Sequence, residues 1–253
     1  MTSRVLGLAQ SNALLMRRNL LTVIYAVGVP LVPLALLAAT PEQTGQAGAV
    51  PLSLCLLMAL LFPVYYNLLS MFVTRRDELV LKRLRSGEAT DADIVLSMAL
   101  PGVVIVLVVA VVAAVLAAVL GFGLPLNPVL VVVGLLISCA AFAALALWTA
   151  AWTRNAEAAQ LTSAPVLLLA TAGSTRAALP EDAQRWVDLL PGAALEDLVR
   201  VAWFGLEPGV GSSGSVSFVA TWVEALPPLG VLLAWTALGF LLARQAMSWE
   251  PRG

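Results

Sequence analysis

Residues 94–120 read IVLSMALPGVVIVLVVAVVAAVLAAVL, and residues 126–152 read LNPVLVVVGLLISCAAFAALALWTAAW. Neither stretch carries a charge. A hydrocarbon core about 30 Å thick is crossed by about 20 residues of helix, so each stretch is long enough to span it. Gly121-Phe122-Gly123-Leu124-Pro125 lies between them. Glycine and proline break helices there, which makes the pair a hairpin with almost no loop.

Working outward, four further apolar segments at 20–39, 52–73, 161–178 and 226–243 bring the expected number of spans to six. The segment at 161–178 is the weakest, because it contains Pro165 and ends in Thr171-Ala172-Gly173-Ser174-Thr175-Arg176. Composition agrees. The 253-residue chain is 60% hydrophobic and 11% charged, with a mean hydropathy of +0.94, against about 45–50% and about 25% for soluble domains. A soluble protein with buried core helices would need far more polar surface than this. The fold class expected is therefore an all-α integral membrane protein, one transmembrane domain over 1–253.

Basic residues set the orientation. With the N-terminus in the cytoplasm, Arg4, Arg17, Arg18, Arg75, Arg76, Lys82, Arg83, Arg85, Arg154, Arg244 and Arg252 fall inside. Only Arg176, Arg185 and Arg200 fall outside. Both termini are expected in the cytoplasm of a multi-pass protein of the cell membrane. A cleavable signal peptide is the competing reading of the start, but the apolar run at 20–39 is longer than the usual 7–15 residues. About 19 amphipathic residues also precede it.

Those residues, 3–19, have helical periodicity. Ser3, Arg4, Gln10, Ser11, Arg17 and Arg18 share one arc, and Val5, Leu8, Ala9, Leu15 and Met16 the other, with Leu14 as the exception. A helix lying in the membrane interface fits this better than an early start of the first span.

The densest charge is at 75–86, where Arg75-Arg76-Asp77-Glu78-Leu79-Val80-Leu81-Lys82-Arg83-Leu84-Arg85 follows the second span. Glu78 and Lys82 stand at i,i+4 in the favourable order. Val80, Leu81 and Leu84 gather on one side. Gly87 is a plausible stop, and Thr90-Asp91-Ala92-Asp93 reads as the cap of the third span. An ordinary positive-inside loop is the plain alternative to a docking helix for a soluble partner. Asn155 is a candidate cap for the fifth helix.

Residues 180–223 form the largest soluble segment. Amphipathic patterning suggests short helices at the outer interface, with Trp186 and Trp203 at headgroup depth. Residues 209–217 are expected to be a flexible Gly/Ser link.

Several chemistries find no support. There is no phosphate loop, nucleophile elbow, zinc-protease motif or dinucleotide fingerprint. The chain has no histidine, and its two cysteines, Cys55 and Cys139, lie inside apolar spans, so neither a metal site nor a disulfide framework is expected. No Asp, Glu or Lys lies at mid-depth in a span, whereas ion-driven carriers commonly use such groups. The uncharged polar residues of the spans include Tyr65, Tyr66, Asn67 and Ser70, Ser138 and Thr149, and Thr162, Ser163 and Thr171. Helix–helix hydrogen bonding is the commoner use of Ser and Thr. Tyr65-Tyr66-Asn67 could instead line a pathway for a substrate of mixed polarity.

Four stretches carry a family resemblance. Leu14-Leu15-Met16-Arg17-Arg18-Asn19 is similar to an interfacial elbow helix. The charged run at 75–85 looks like a coupling segment of the form R-E-x-G-x-x-K-x-L-R. Asn155-Ala156-Glu157-Ala158-Ala159-Gln160-Leu161 resembles the Ala-rich start of a fifth span. Leu190-Pro191-Gly192-Ala193-Ala194-Leu195-Glu196-Asp197-Leu198-Val199-Arg200 looks like outer helices of the form P-x-x-x-x-x-E-x-x-R. In this order they resemble the permease subunit of a type-2 ATP-binding-cassette exporter. Two departures stand out: the glycine of the coupling segment is Leu79 here, and Thr171-Ala172-Gly173-Ser174 replaces an F-S-G turn.

The resemblance implies a non-catalytic permease without a cofactor of its own. ATP and magnesium would belong to a nucleotide-binding ATPase subunit, and a second permease, identical or homologous, would complete the pathway. The partners would be that ATPase, that permease and the lipid bilayer, not nucleic acid. Coupling to the ATPase would fall on Arg76, Glu78, Val80, Leu81, Lys82, Arg83 and Leu84. The pathway would fall on Tyr65, Tyr66, Asn67, Ser70, Thr162 and Thr171. The substrate implied is lipophilic or amphipathic, such as a drug, an antibiotic or a lipid. An ion-gradient-driven carrier, a membrane-embedded enzyme and a structural membrane subunit are the competing classes.

Overall fold

The computed structural model of the protein describes residues 2–85, 90–209, 212 and 214–246. Among them there is no β-strand beyond a single bridge between Leu206 and Ser215. Helix α1 (Thr2–Arg18) is followed by α2 (Leu20–Ala39) and α3 (Gly45–Asp77). The short α4 (Val80–Arg85) leads into α5 (Asp91–Val119), and α6 (Pro128–Trp152) completes the hairpin.

The ends of these helices are written in the sequence. Asn19 has an extended backbone and its side chain accepts from the Thr22 N–H, so α1 and α2 are separate helices. Thr90 and Asp93 form a reciprocal capping box at the start of α5. Asn127 caps α6 by accepting from Leu130 N, and Pro128 occupies the first turn, where no N–H is needed. Gly121 and Gly123 adopt positive φ in the turn between α5 and α6, which side chains disfavour.

Five helices among the described residues are long and apolar enough to cross a membrane: Leu20–Ala39, Gly45–Asp77, Asp91–Val119, Pro128–Trp152 and Thr221–Ala246. The segment expected as a span over 161–178 is not one continuous helix. That segment is α7 (Ala158–Thr162), α8 (Ala164–Thr171) and a 3-10 helix at Ala172–Ala178. Pro165 sits in the first turn of α8, where it cannot donate back to Leu161, so the helix restarts at Ser163. Asn155 does cap α7, accepting from Ala158 N at 2.8 Å.

The second span is longer than the sequence suggests, 33 residues rather than the stretch 52–73, and it contains a π-helical segment at Leu60–Tyr66. Pro63 within that segment lacks an N–H for the helix ladder, and the widened turn accommodates it. A further π turn, Ile24–Gly28, interrupts α2.

After α9 (Glu181–Val187), helix α10 (Pro191–Phe204) runs through the interior, followed by α11 (Thr221–Ala246). Every residue of α10 from Pro191 to Trp203 is buried, against α3, α6 and α11. This corrects the expectation for Trp203. Its ring is 2% exposed and packs in the core, while Trp186 remains at the surface, 66% exposed. Amphipathic spacing could not distinguish a helix lying on the outer interface from one folded back into the bundle.

Glycines allow the close crossings. A Cβ at Gly192 would lie 1.7 Å from the Ala170 carbonyl oxygen, and one at Gly102 would lie 2.2 Å from that of Pro63. Helix α10 is thus pressed onto α8, and α5 onto the π segment of α3. After Gly205, which closes α10 with φ +60°, Val216 N donates to Gly205 O and Glu207 N to Gly214 O. These hydrogen bonds hold the described residues 214–216 back against the end of α10.

Candidate functional site

The charged turn between α3 and α5 is anchored by Arg76. Its side chain is fully buried and its fork reaches the end of α6. Nη1 donates to Ala150 O at 3.0 Å, and Nη2 to Arg154 O at 3.1 Å and to Thr153 O. These carbonyls lie at a helix C-terminus, where the last turn has no intrahelical donors and the helix dipole favours a cation. Asp77 Oδ1 lies 3.8 Å from Arg76 Nε. Arg76 therefore joins α3 to α6 instead of facing outward.

Arg75 makes the second link. It donates to Asn12 Oδ1 on α1, and Asn12 Nδ2 donates to Ser97 O on α5 at 2.7 Å. That carbonyl is four residues before Pro101, which has no N–H to give it. A proline in α5 thus creates the acceptor that holds α1, and α1 in turn holds the first residue of the charged turn.

Beyond Glu78 the chain reverses at Leu79, whose φ of +60° lies in the left-handed region. This is the position at which the coupling segment of the resembled family carries glycine. A leucine there is held by the hydrogen bonds Glu78 N to Thr74 O and Leu79 N to Arg76 O. The reversal turns Leu81 wholly into the core, where it is completely buried, with Leu84 half-buried against the same cluster. Glu78 and Leu79 are exposed and Val80 is half-buried. The side chains of Lys82 and Arg83 lie outside the described residues, as does Gly87. The seven candidate coupling residues thus divide: Arg76 and Leu81 fix the turn to the bundle, while Glu78, Val80 and Leu84 remain at least partly open.

A cleft of about 450 Å³ opens between α2, α3 and the α7–α8 segment. Tyr66, Asn67 and Ser70 line it, together with Tyr25, Phe62, Gln160 and Ser163. Tyr25 and Phe62 stack at its wall, with ring centroids 6.0 Å apart. Tyr65 points the other way, its hydroxyl donating to Thr149 Oγ1 at 3.1 Å inside the α3–α6 contact. Thr162 shares a 2.7 Å hydrogen bond with Thr153, and Thr171 bonds back to Leu167 O. These two threonines, like Tyr65, do not line the cleft. Adjacent residues of a helix point about 100° apart, so one tyrosine faces α6 while its neighbour faces the cleft. Tyr25, Phe62, Gln160 and Ser163 were missed in the sequence because no local spacing links three separate helices.

A cluster of buried ions closes the opposite end. Arg176 Nη1 donates to Asp188 Oδ1 and to Asp197 Oδ2, both at 2.9 Å, and Nη2 donates to Asp197 Oδ1, with Glu196 Oε1 3.7 Å away. Asp197 Oδ1 also accepts from Gly209 N at 2.9 Å. Arg200 reaches Gln46 Oε1, Ser212 and Glu207 O. Desolvation is the largest influence on both neighbours: it pushes the Glu196 carboxyl above its ordinary range and the Arg200 guanidinium below its own. Buried ions of this kind are tolerated only when paired. Together they bind the end of the α7–α8 segment to α10 and to the loop after it.

Comparison with known proteins adds one finding. Among curated proteins there is no match. The family model described as ABC-2 type transporter matches residues 4–201, from α1 through most of α10. With five apolar helices of spanning length and a match over most of its length, the chain belongs to the ABC-2 type transporter family and is a multi-pass membrane permease component.

Proposed function

We propose that this chain is the permease of an ATP-driven exporter. It pairs with a second permease, a copy of itself or a close homologue, and moves a lipophilic or amphipathic molecule of the drug, antibiotic or lipid class. A separate subunit binds ATP and magnesium and hydrolyses the nucleotide. The broken α7–α8 segment serves as a sixth crossing, and both termini lie in the cytoplasm of the cell membrane.

One observation carries this reading: the cleft between α2, α3 and α7–α8 combines stacked aromatic rings with the amide and hydroxyl groups of Asn67, Ser70, Gln160 and Ser163. Apolar walls with a few convergent polar groups suit an amphipathic ligand. No Asp, Glu or Lys lines it, so the driving energy is assigned to the partner ATPase. The charged turn receives that energy. Its exposed part, with Glu78, Val80, Leu84, Lys82 and Arg83, is the docking face, and Arg76 and Leu81 transmit movement to α6 and α5.

The test uses the chain co-expressed with a cognate ATPase subunit and reconstituted in liposomes. Substrate-stimulated ATP hydrolysis and ATP-dependent accumulation of a lipophilic fluorescent amine are measured. Asn67→Leu with Ser70→Ala should lower accumulation by about fivefold or more while the ATPase still co-purifies, since two lost ligand hydrogen bonds at about 0.5–1.5 kcal/mol each sum to about 1–3 kcal/mol. Unchanged accumulation in the double variant would remove the cleft from the pathway.

A further inference from the structure

A second groove lies on the other side of the first span. It encloses about 370 Å³ between α1, α2 and α5. Ala13 and Met16 of α1, Ala26 of α2 and Val104 of α5 form its wall, and the wall presents almost no polar atoms. Its rim is different in kind. Gln10 and Arg17 stand at the opening, and neither has a hydrogen-bond or ion-pair partner among the described residues. No carboxylate lines the groove.

These facts narrow the occupant. An extended peptide would bring backbone N–H and C=O groups that need partners, and this wall provides none. An alkyl chain needs none, and burial of each methylene is favourable. The rim adds a cation without a counter-charge, so the ligand's polar end should be anionic. The position agrees, because α1 is tied through Asn12 to Arg75 and so lies at the end of the bundle that carries the charged turn. Basic pockets between helices at that level of a membrane take anionic headgroups.

We propose that this groove binds one acyl chain of an anionic phospholipid from the leaflet on the charged-turn side, with the lipid phosphate on Arg17. The lipid would be a resident ligand that fills the gap between α1 and the spans. The proposal does not depend on the export reading, because the groove shares only Thr22 and Ala26 with the cleft.

The full chain is reconstituted in nanodiscs of equal phosphatidylglycerol and phosphatidylethanolamine, and retained lipid is weighed by native mass spectrometry. The wild type should retain phosphatidylglycerol over phosphatidylethanolamine by about fivefold or more. A single cation near the surface is worth about 1 kcal/mol, which is about fivefold, so Arg17→Gln should reduce that preference toward one. Ala13→Trp, which fills the groove, should lower retention of both lipids several-fold. Arg154→Gln, an exposed cation away from the groove, should change neither. Equal retention of the two lipids by the wild type, or an unchanged ratio in Arg17→Gln, overturns the proposal. So does undiminished retention in Ala13→Trp, or a retained species that is not a lipid.

Discussion

Replacing Arg76 by lysine tests whether the charged turn is held by geometry or by charge alone. The guanidinium fork serves three carbonyls, those of Ala150, Thr153 and Arg154. A lysine keeps the charge but is a single point on a flexible stem, and it cannot span all three. One or two carbonyls at the end of α6 then lose their donor. Each buried acceptor left unpaired costs about 1–3 kcal/mol, so the expected loss is about 3 kcal/mol. For a domain of this size that corresponds to roughly 6–12 °C in unfolding temperature. The protein carries its own reporter. Cys55 on α3 and Cys139 on α6 are buried free thiols on the two helices that Arg76 joins. A thiol-reactive dye in detergent solution therefore reads their exposure as the chain melts. Arg154→Lys, at an exposed side chain, should move the midpoint by less than about 2 °C, as surface substitutions usually do. An Arg76→Lys midpoint within about 2 °C of wild type, or an equal shift in Arg154→Lys, would refute the clamp.

Two further outcomes follow from the same coordinates. Asn12→Leu leaves Ser97 O and the Arg75 guanidinium without their shared partner; it should cost about 2–4 kcal/mol and speed proteolysis of α1, and unchanged cleavage would show that α1 is held by apolar packing alone. Glu196 holds its proton more tightly in the fold than in the unfolded chain, chiefly through desolvation, so its contribution is full below the ordinary carboxylate range and is lost as pH rises through its folded value. The stability of wild type relative to Glu196→Gln, followed by tryptophan fluorescence, should therefore fall as pH rises above the ordinary carboxylate range, and a difference that is flat or rises with pH would show that Arg176 and Arg200 outweigh burial there.

Local chemistry explains what was legible in advance. The uncharged runs at 94–120 and 126–152, the Thr90 and Asn155 caps and the Gly121–Gly123 turn depend on neighbours a few residues away. They appear in the structure as the sequence implies. The same holds for the break at Asn19, where a short polar side chain both ends α1 and caps α2. Family membership was also readable, because elbow, charged turn, Ala-rich helix start and outer helices come in a fixed order along the chain.

The remainder depended on contacts between distant segments. Tyr65 and Tyr66 are adjacent and chemically alike, yet one bonds Thr149 inside the bundle and the other lines the cleft. Consecutive side chains of one helix diverge by about 100°, and which of the two directions meets α6 is set by how the helices pack. Arg76 and Leu81 carry the pattern of an exposed docking helix, but Arg76 is buried against the end of α6 and the left-handed turn at Leu79 carries Leu81 into the core. Arg176 was placed on the outer side and Trp203 at headgroup depth; both are buried in the structure, where the close crossing at Gly192 presses α10 onto α8. Composition fixed that this chain enters a membrane, since apolar surface on that scale has no stable place in water. Which polar side chains then meet was decided by the tertiary structure, because in an apolar medium each buried polar group must find whichever partner the packing brings within reach.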